Sequence, residues 1–386
     1  MRKILAVIII VCLAFGIFLL YLDKTNDNGV STQFEDANAV GTIDFDKIYA
    51  LHEPDEVIGT LNGRNITWDE YFYAYYTYAK DTQQYIDQLK QYYGLDVGWD
   101  DVIDEGTGET FASGVASYPE RFLSQYAAIE QYASDNGITI EAADEEELAN
   151  LLKSNIVSLC GEGATEEDFY KQLEELRMPR SFYNRMMQDT VLNDKLNLVY
   201  GANGEKLSDK EAIAMLDEAG YLHAGHILLM TMDKTTGEAV DENTAKALKE
   251  KAQGFSDALN AIENKEERYA EFTKLAAENT EDSSIEYTFL PGSMVSEFED
   301  TVKSLGEYEV SAPVETNYGY HVIIRLPLDP DAQLFEYQMN GQTVTGRYYC
   351  AMQLISEGLL EIYNNLKIEY NPDFVSPKIG RFINQG

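Results

Sequence analysis

Residues 317–326 read NYGYHVIIRL. A glycine turn at Gly319 leads into a β-branched run that ends at Arg325 and Leu326, which is the pattern of a buried strand. One histidine, His321, sits inside it, in a chain that has only four. The ordinary reading is a core histidine satisfied by a hydrogen bond. A second stretch of the same kind changes the balance: HAGHILLM, residues 223–230, is a compact apolar run with His226 inside it. Between the two runs the spacing predicts a helix from about Asn243 to Ala261, a helical period over Ala270–Glu278 and a polar turn, TEDSS. A short strand around Tyr287–Leu290 and a helix over about Val295–Leu305 follow. Strand, helix, helix, strand, helix, strand implies a small α/β or α+β domain, set at residues 221–328. His223 precedes His226 by three positions; on a strand an odd separation sends the two rings to opposite faces, so no metal pair is expected there.

Upstream, residues 56–220 carry mostly helix signals. VIGTLNGRNIT predicts a short hairpin turning on Asn62-Gly63. Thr67 to Glu70 reads as a capping box that opens a long aromatic helix stopped by Gly94. Pro119 and Gly137 bracket a second helix, and Glu141–Cys160 a third. Thr165–Asp168 and Ser208–Glu211 are two further capping boxes, with Ser181–Tyr200 an amphipathic segment between the helices they open. Tyr71, Tyr75, Tyr78, Phe169, Phe182 and Met186 form stripes at helical spacing. Core packing is the ordinary account of them, and an adaptable groove for apolar peptides is the functional alternative. The acidic segment Asp96–Glu109 lacks oxygen ligands at alternate positions and reads as a solvated loop. Beyond Pro330 the chain returns to an amphipathic helix within residues 329–386.

At the amino end, 19 uncharged and mostly apolar residues lie between Lys3 and Asp23. As a helix they nearly match a hydrocarbon core of about 30 Å. Arg2 and Lys3 before the run place the rest of the chain outside the cytoplasm. Residues 1–22 are therefore expected as an uncleaved anchor and 23–55 as a polar tether, with His52 unpartnered in it. The net charge of −38 argues against nucleic acid or an anionic membrane surface as partner. Cys160 and Cys350 could form one disulfide; two free buried thiols suit so cysteine-poor a chain better.

The ordered phrases GHILL, FTKLAAENTEDSS, PGSMVSEFED and SAPVETNYGYHVI resemble the parvulin-type peptidyl-prolyl isomerases. The helices before them, beginning VIGTLNGRNITWDEY, more loosely resemble the chaperone lobe of extracytoplasmic foldases of the PrsA and SurA kind. That resemblance implies an α+β protein: a discontinuous helical chaperone lobe with an inserted parvulin-like domain, one transmembrane helix before it, and a C-terminal helix returning to the lobe. It implies His226, Asp282, Thr316 and His321 as catalytic residues, and Met294 and Phe298 as the apolar residues that hold a proline ring. It implies no cofactor and no metal, partners that are unfolded secreted chains with X-Pro bonds, and a membrane location with the bulk of the chain outside; a homodimer is compatible with it.

The chemistry suits such residues. Rotation about a peptide bond faces a barrier of about 18–20 kcal/mol, and a site complementary to the twisted amide needs neither nucleophile nor metal. One departure stands out: the glycine-rich Gly-Gly-Asp-Leu-Gly segment usual in parvulins is missing, with only IEYTFLP between Ser284 and Gly292. Loss of that pocket wall motivates the rival expectation, a non-catalytic holdase that uses a degenerate parvulin domain to bind peptides.

Overall fold

The structure, a computed structural model, describes residues 43–232, 236–339 and 342–383. The expected membrane helix at residues 1–22 lies outside the described residues, and no described helix is long and apolar enough to cross a membrane. The chain divides into two compact units, one of residues up to 199 together with those from 355 onward, the other of residues 200–354.

The first unit is helical. Its elements are α1 (Phe45–Tyr49), the hairpin β1 (Val57–Leu61) and β2 (Arg64–Thr67), α2 (Trp68–Tyr93), the exposed hairpin β3 (Val102–Asp104) and β4 (Glu109–Thr110), α3 (Phe111–Asp135), α4 (Glu145–Cys160), α5 (Glu166–Glu175) and α6 (Arg180–Lys195). Asn62 and Gly63 turn the first hairpin with φ of 52° and 76°, the left-handed pair that a two-residue turn requires. The aromatic stripe is core: Trp68, Tyr71, Phe72, Tyr75, Phe169 and Phe182 are buried against one another. Dry packing at helical spacing accounts for these residues.

Five sequence expectations change here. Thr67 ends β2 and α2 starts on time, but the Thr67 side chain makes no cap bond; it donates instead to Asp69, while Glu70 turns inward to Arg64 and Arg185. Helix α3 starts at Phe111, capped by a Thr110–Ser113 box, and carries Pro119 inside it. The acidic segment before it forms the β3–β4 ladder rather than an irregular loop. Residues 43–55 are not a tether, because Ile48 is fully buried and Trp68 Nε1 donates to the Tyr49 carbonyl at 2.8 Å. His52 has partners: its Nδ1 lies 3.0 Å from Glu56 Oε1, and its ring packs on Trp68 and Phe374.

The end of the chain closes this unit. Strand β11 (Glu369–Tyr370) pairs antiparallel with β1, Ile383 bridges Ile43, and the Tyr71 hydroxyl meets Ser376 Oγ at 3.0 Å.

In the second unit, α7 (Asp209–Ala219), β5 (Leu222–Met230), α8 (Glu242–Asn260), α9 (Lys265–Asn279), β6 (Glu286–Phe289), α10 (Ser296–Ser304), β7 (Val314–Glu315) and β8 (Gly319–Leu326) follow one another. After them, where the sequence reading placed only a helix, a hairpin of β9 (Gln333–Met339) and β10 (Gln342–Thr345) precedes α11 (Gly346–Asn365), whose residues from 355 onward belong to the first unit. The six strands run β10-β9-β6-β5-β8-β7 across the sheet. Helices α8 and α9 bury Ile227, Leu229, Val322 and Ile324 on one face, and α10 buries Ala224, Phe289 and Ile323 on the other. Arg347, at the start of α11, pairs with both Asp209 and Asp331 and so fastens that helix to α7 within the unit. Cys160 and Cys350 are both free thiols.

Candidate functional site

Strands β5 and β8 pair antiparallel with His226 opposite Ile323 and Leu228 opposite His321. This register puts the two histidines diagonally on one face, their Nδ1 atoms 3.0 Å apart. His223 turns the other way, to the Pro327 carbonyl at 2.8 Å. Beyond the pair, His321 Nε2 meets Thr316 Oγ1 at 2.9 Å, and His226 Nε2 meets Asp282 Oδ2 at 3.2 Å. The structure thus gathers all four polar residues into one chain: Thr316, His321, His226, Asp282.

One proton assignment satisfies every link with both rings neutral. The Thr316 hydroxyl donates to His321 Nε2, His321 Nδ1–H to His226 Nδ1, and His226 Nε2–H to the Asp282 carboxylate. Thr316 Oγ1 in turn accepts from the Tyr318 amide. His226, His321 and Thr316 are buried, where a missing partner would cost about 1–3 kcal/mol each. Burial and the neighbouring His226 push His321 down to about 4. Asp282 is held well below the usual carboxylate range, first by its hydrogen bond with His226 and further by the Ser283 amide and the Tyr287 hydroxyl. An acid so thoroughly provided with donors is an anchored anion rather than a base or a nucleophile.

The turn that carries Asp282 is stitched to the edge of β5. Leu228 N donates to Thr280 Oγ1, Glu281 N to the Leu228 carbonyl, and Met230 N to Glu281 Oε2. Gly319 opens β8 with φ 147°, and a Cβ there would strike the Leu229 carbonyl. Glycine is what lets the start of β8 lie this close against β5.

Apolar rings complete the site. Phe298 meets both histidine rings edge-on, with centroids 5.4 and 5.7 Å away, and Met294 packs in the same cluster. Met294 is held by the turn before α10, where Glu299 Oε2 accepts from Gly292 N at 2.6 Å. Sequence reasoning missed Tyr287. Its ring lies 5.6 Å from that of His226 and its hydroxyl donates to Asp282 Oδ1 at 3.2 Å. It stands on β6, the strand formed by the short segment that lacks the glycine-rich phrase, and an aromatic residue in that place was the available signal.

A family model of the PPIC-type PPIase (rotamase) domain matches residues 226–326. That segment is a parvulin domain. Its ends coincide with His226 on β5 and the last residue of β8, so the match covers the paired histidine strands and everything between them. Among curated proteins, foldase protein PrsA of Geobacillus kaustophilus is 27% identical over 194 residues, 44% of this chain and 69% of the relative. Foldase protein PrsA 4 of Bacillus cereus is 32% identical over 176 residues, 41% of this chain and 53% of the relative. The matched region thus spans about half to two thirds of these proteins. The crystal structure of PrsA from Bacillus subtilis aligns over 85% of this chain at 19% identity with a TM-score of 0.23, too low to compare the arrangement of parts. In this parvulin domain, no described cluster of three or more His, Cys, Asp or Glu side chains is placed to hold a metal.

Proposed function

We propose that this chain is an extracytoplasmic foldase: its parvulin domain isomerises X-Pro bonds, and its helical unit holds unfolded secreted chains. The observation that carries the reading is the Thr316–His321–His226–Asp282 chain, buried except at Asp282, beneath an apolar face of Phe298, Met294 and Tyr287. In this reading the proline ring rests against Phe298 and Met294. The histidine pair, with Thr316, forms a rigid polar floor, and Asp282 faces the amide as it twists and loses its resonance. A thousandfold acceleration needs only about 4 kcal/mol of preferential binding to the twisted amide. Tyr287 on β6 supplies a wall where the glycine-rich segment is missing, which favours catalysis over the purely peptide-holding alternative. The 19-residue apolar run before Asp23 supports anchoring in the cell membrane with the remainder outside.

The test is exchange of short X-Pro peptides by the full-length protein. Acceleration that His321→Ala abolishes, in a protein that still folds, is the expected result. A folded wild-type protein that leaves the uncatalysed rate unchanged, yet still suppresses aggregation of an unfolded client, would overturn the isomerase part and leave the holdase.

A further inference from the structure

The added hairpin does more than lengthen the sheet. Strand β9 lies parallel to β6 with Leu334 beside Thr288, and both of those residues are buried. Alternation along a strand then turns Phe335 to the opposite face, the face that carries Tyr287. Phe335 is 46% exposed and meets the Tyr287 ring edge-on at 5.4 Å, an interplanar angle of 89°. A continuous run of rings therefore leads out of the site, from Phe298 and His226 through Tyr287 to Phe335, and ends in an aromatic surface open to solvent.

We propose that Tyr287 and Phe335 form a side-chain subsite that selects peptides carrying an aromatic or large aliphatic residue close to the proline. The proposal rests on the isomerase reading of the site. Phe335 stands two ring contacts from His226, of 5.6 and 5.4 Å. At about 3.3–3.6 Å per extended residue, a side chain within about three positions of the proline reaches it. An edge-on aromatic contact of this kind is worth roughly a three- to tenfold preference.

A set of proline peptides, each with one phenylalanine at one of the three positions before or after the proline and alanine elsewhere, tests this. Both kcat/KM and Kd are read for the full-length protein. One position is expected to exceed the all-alanine peptide by roughly three- to tenfold, an advantage that Phe335→Ala removes and Phe335→Trp retains. A preference at no position, or one that survives Phe335→Ala, overturns the subsite. Absence of turnover on every peptide would refute the isomerase reading alone, because the same ratios are still read from Kd. A Phe335→Ala protein that loses binding to all peptides equally would show a general structural role and also overturn the proposal.

Discussion

The two units each bury a polar network, and the networks set an aspartate in opposite directions. In the helical unit Glu70 is clasped by Arg64 at 2.9 Å and Arg185 at 2.8 Å, while Asp189 behind them is buried with its Oδ2 unpartnered. Burial, then the nearby Glu130 carboxylate, pushes Asp189 up to about 8, against the pull of Arg185 and Arg64. In the parvulin domain Asp282 receives donors from His226, Ser283 and Tyr287 and is driven down. The residue type is the same; the supply of donors decides whether a carboxyl is a stored proton or a fixed anion. The first network braces helices, and the second gives a site its floor.

The largest effect that separates the networks should come from Gly319→Ala. A Cβ against the Leu229 carbonyl at φ 147° is expected to cost more than about 3 kcal/mol. Hydrogen exchange should then show protection lost in β5 and β8 while α2 and α3 keep theirs; uniform loss in both units would break the separation.

pH sharpens it next. The folded-state value of His321, about 4, is below its ordinary 6.5, so its share of stability is intact above 6.5 and is lost as pH falls from there toward 4. That share reaches up to about 3 kcal/mol. Asp282 adds to the loss only below its ordinary 3.8. Asp189 has the reverse sign: its folded value is raised, so its contribution is present below 3.8 and is lost as pH climbs toward 8. Amide exchange from pH 4 to 9 should therefore weaken the parvulin domain at the acid end and the helical unit at the alkaline end. Loss in one common direction would refute the contrast.

Asp189→Asn should raise the melting temperature of the helical unit at pH 9 by roughly 5 °C, for about 2 kcal/mol, and by less at pH 6. Thr316→Val should cost about 1–2 kcal/mol by leaving His321 Nε2 without a donor, and should slow X-Pro exchange. Unchanged exchange in that variant would remove Thr316 from the working chain.

Much of this was legible in residues. Two lone histidines in apolar runs, ordered phrases between them and a turn with Asp282 led to the site, because strand alternation and antiparallel register leave few ways to place them. Gly94, Gly161 and Gly220 marked helix ends that formed as read. Other features depended on long-range partners that local pattern does not carry. Thr67 offered a capping box, but Arg64 and Arg185 claimed Glu70. Gln333–Met339 could become strand β9 only because β6 exposed an edge to it, and Tyr287 mattered only once β6 stood beside His226. Residues 43–55 looked like a tether because several of the residues that pack on them, Phe374, Phe382 and Ile383, come more than 300 positions later.

That last pairing has a consequence for how the protein is made. The hairpin β1–β2 and the aromatic face of Trp68 and Tyr71 are completed by Tyr370, Phe374 and Ser376, the last of them 305 positions after Tyr71. At roughly 5–20 residues per second, the amino-terminal half waits about 15–60 s for its missing strand. The parvulin domain lies wholly within residues 200–354. It can be finished first, so that during its own synthesis the chain carries a complete parvulin domain before its helical unit has closed.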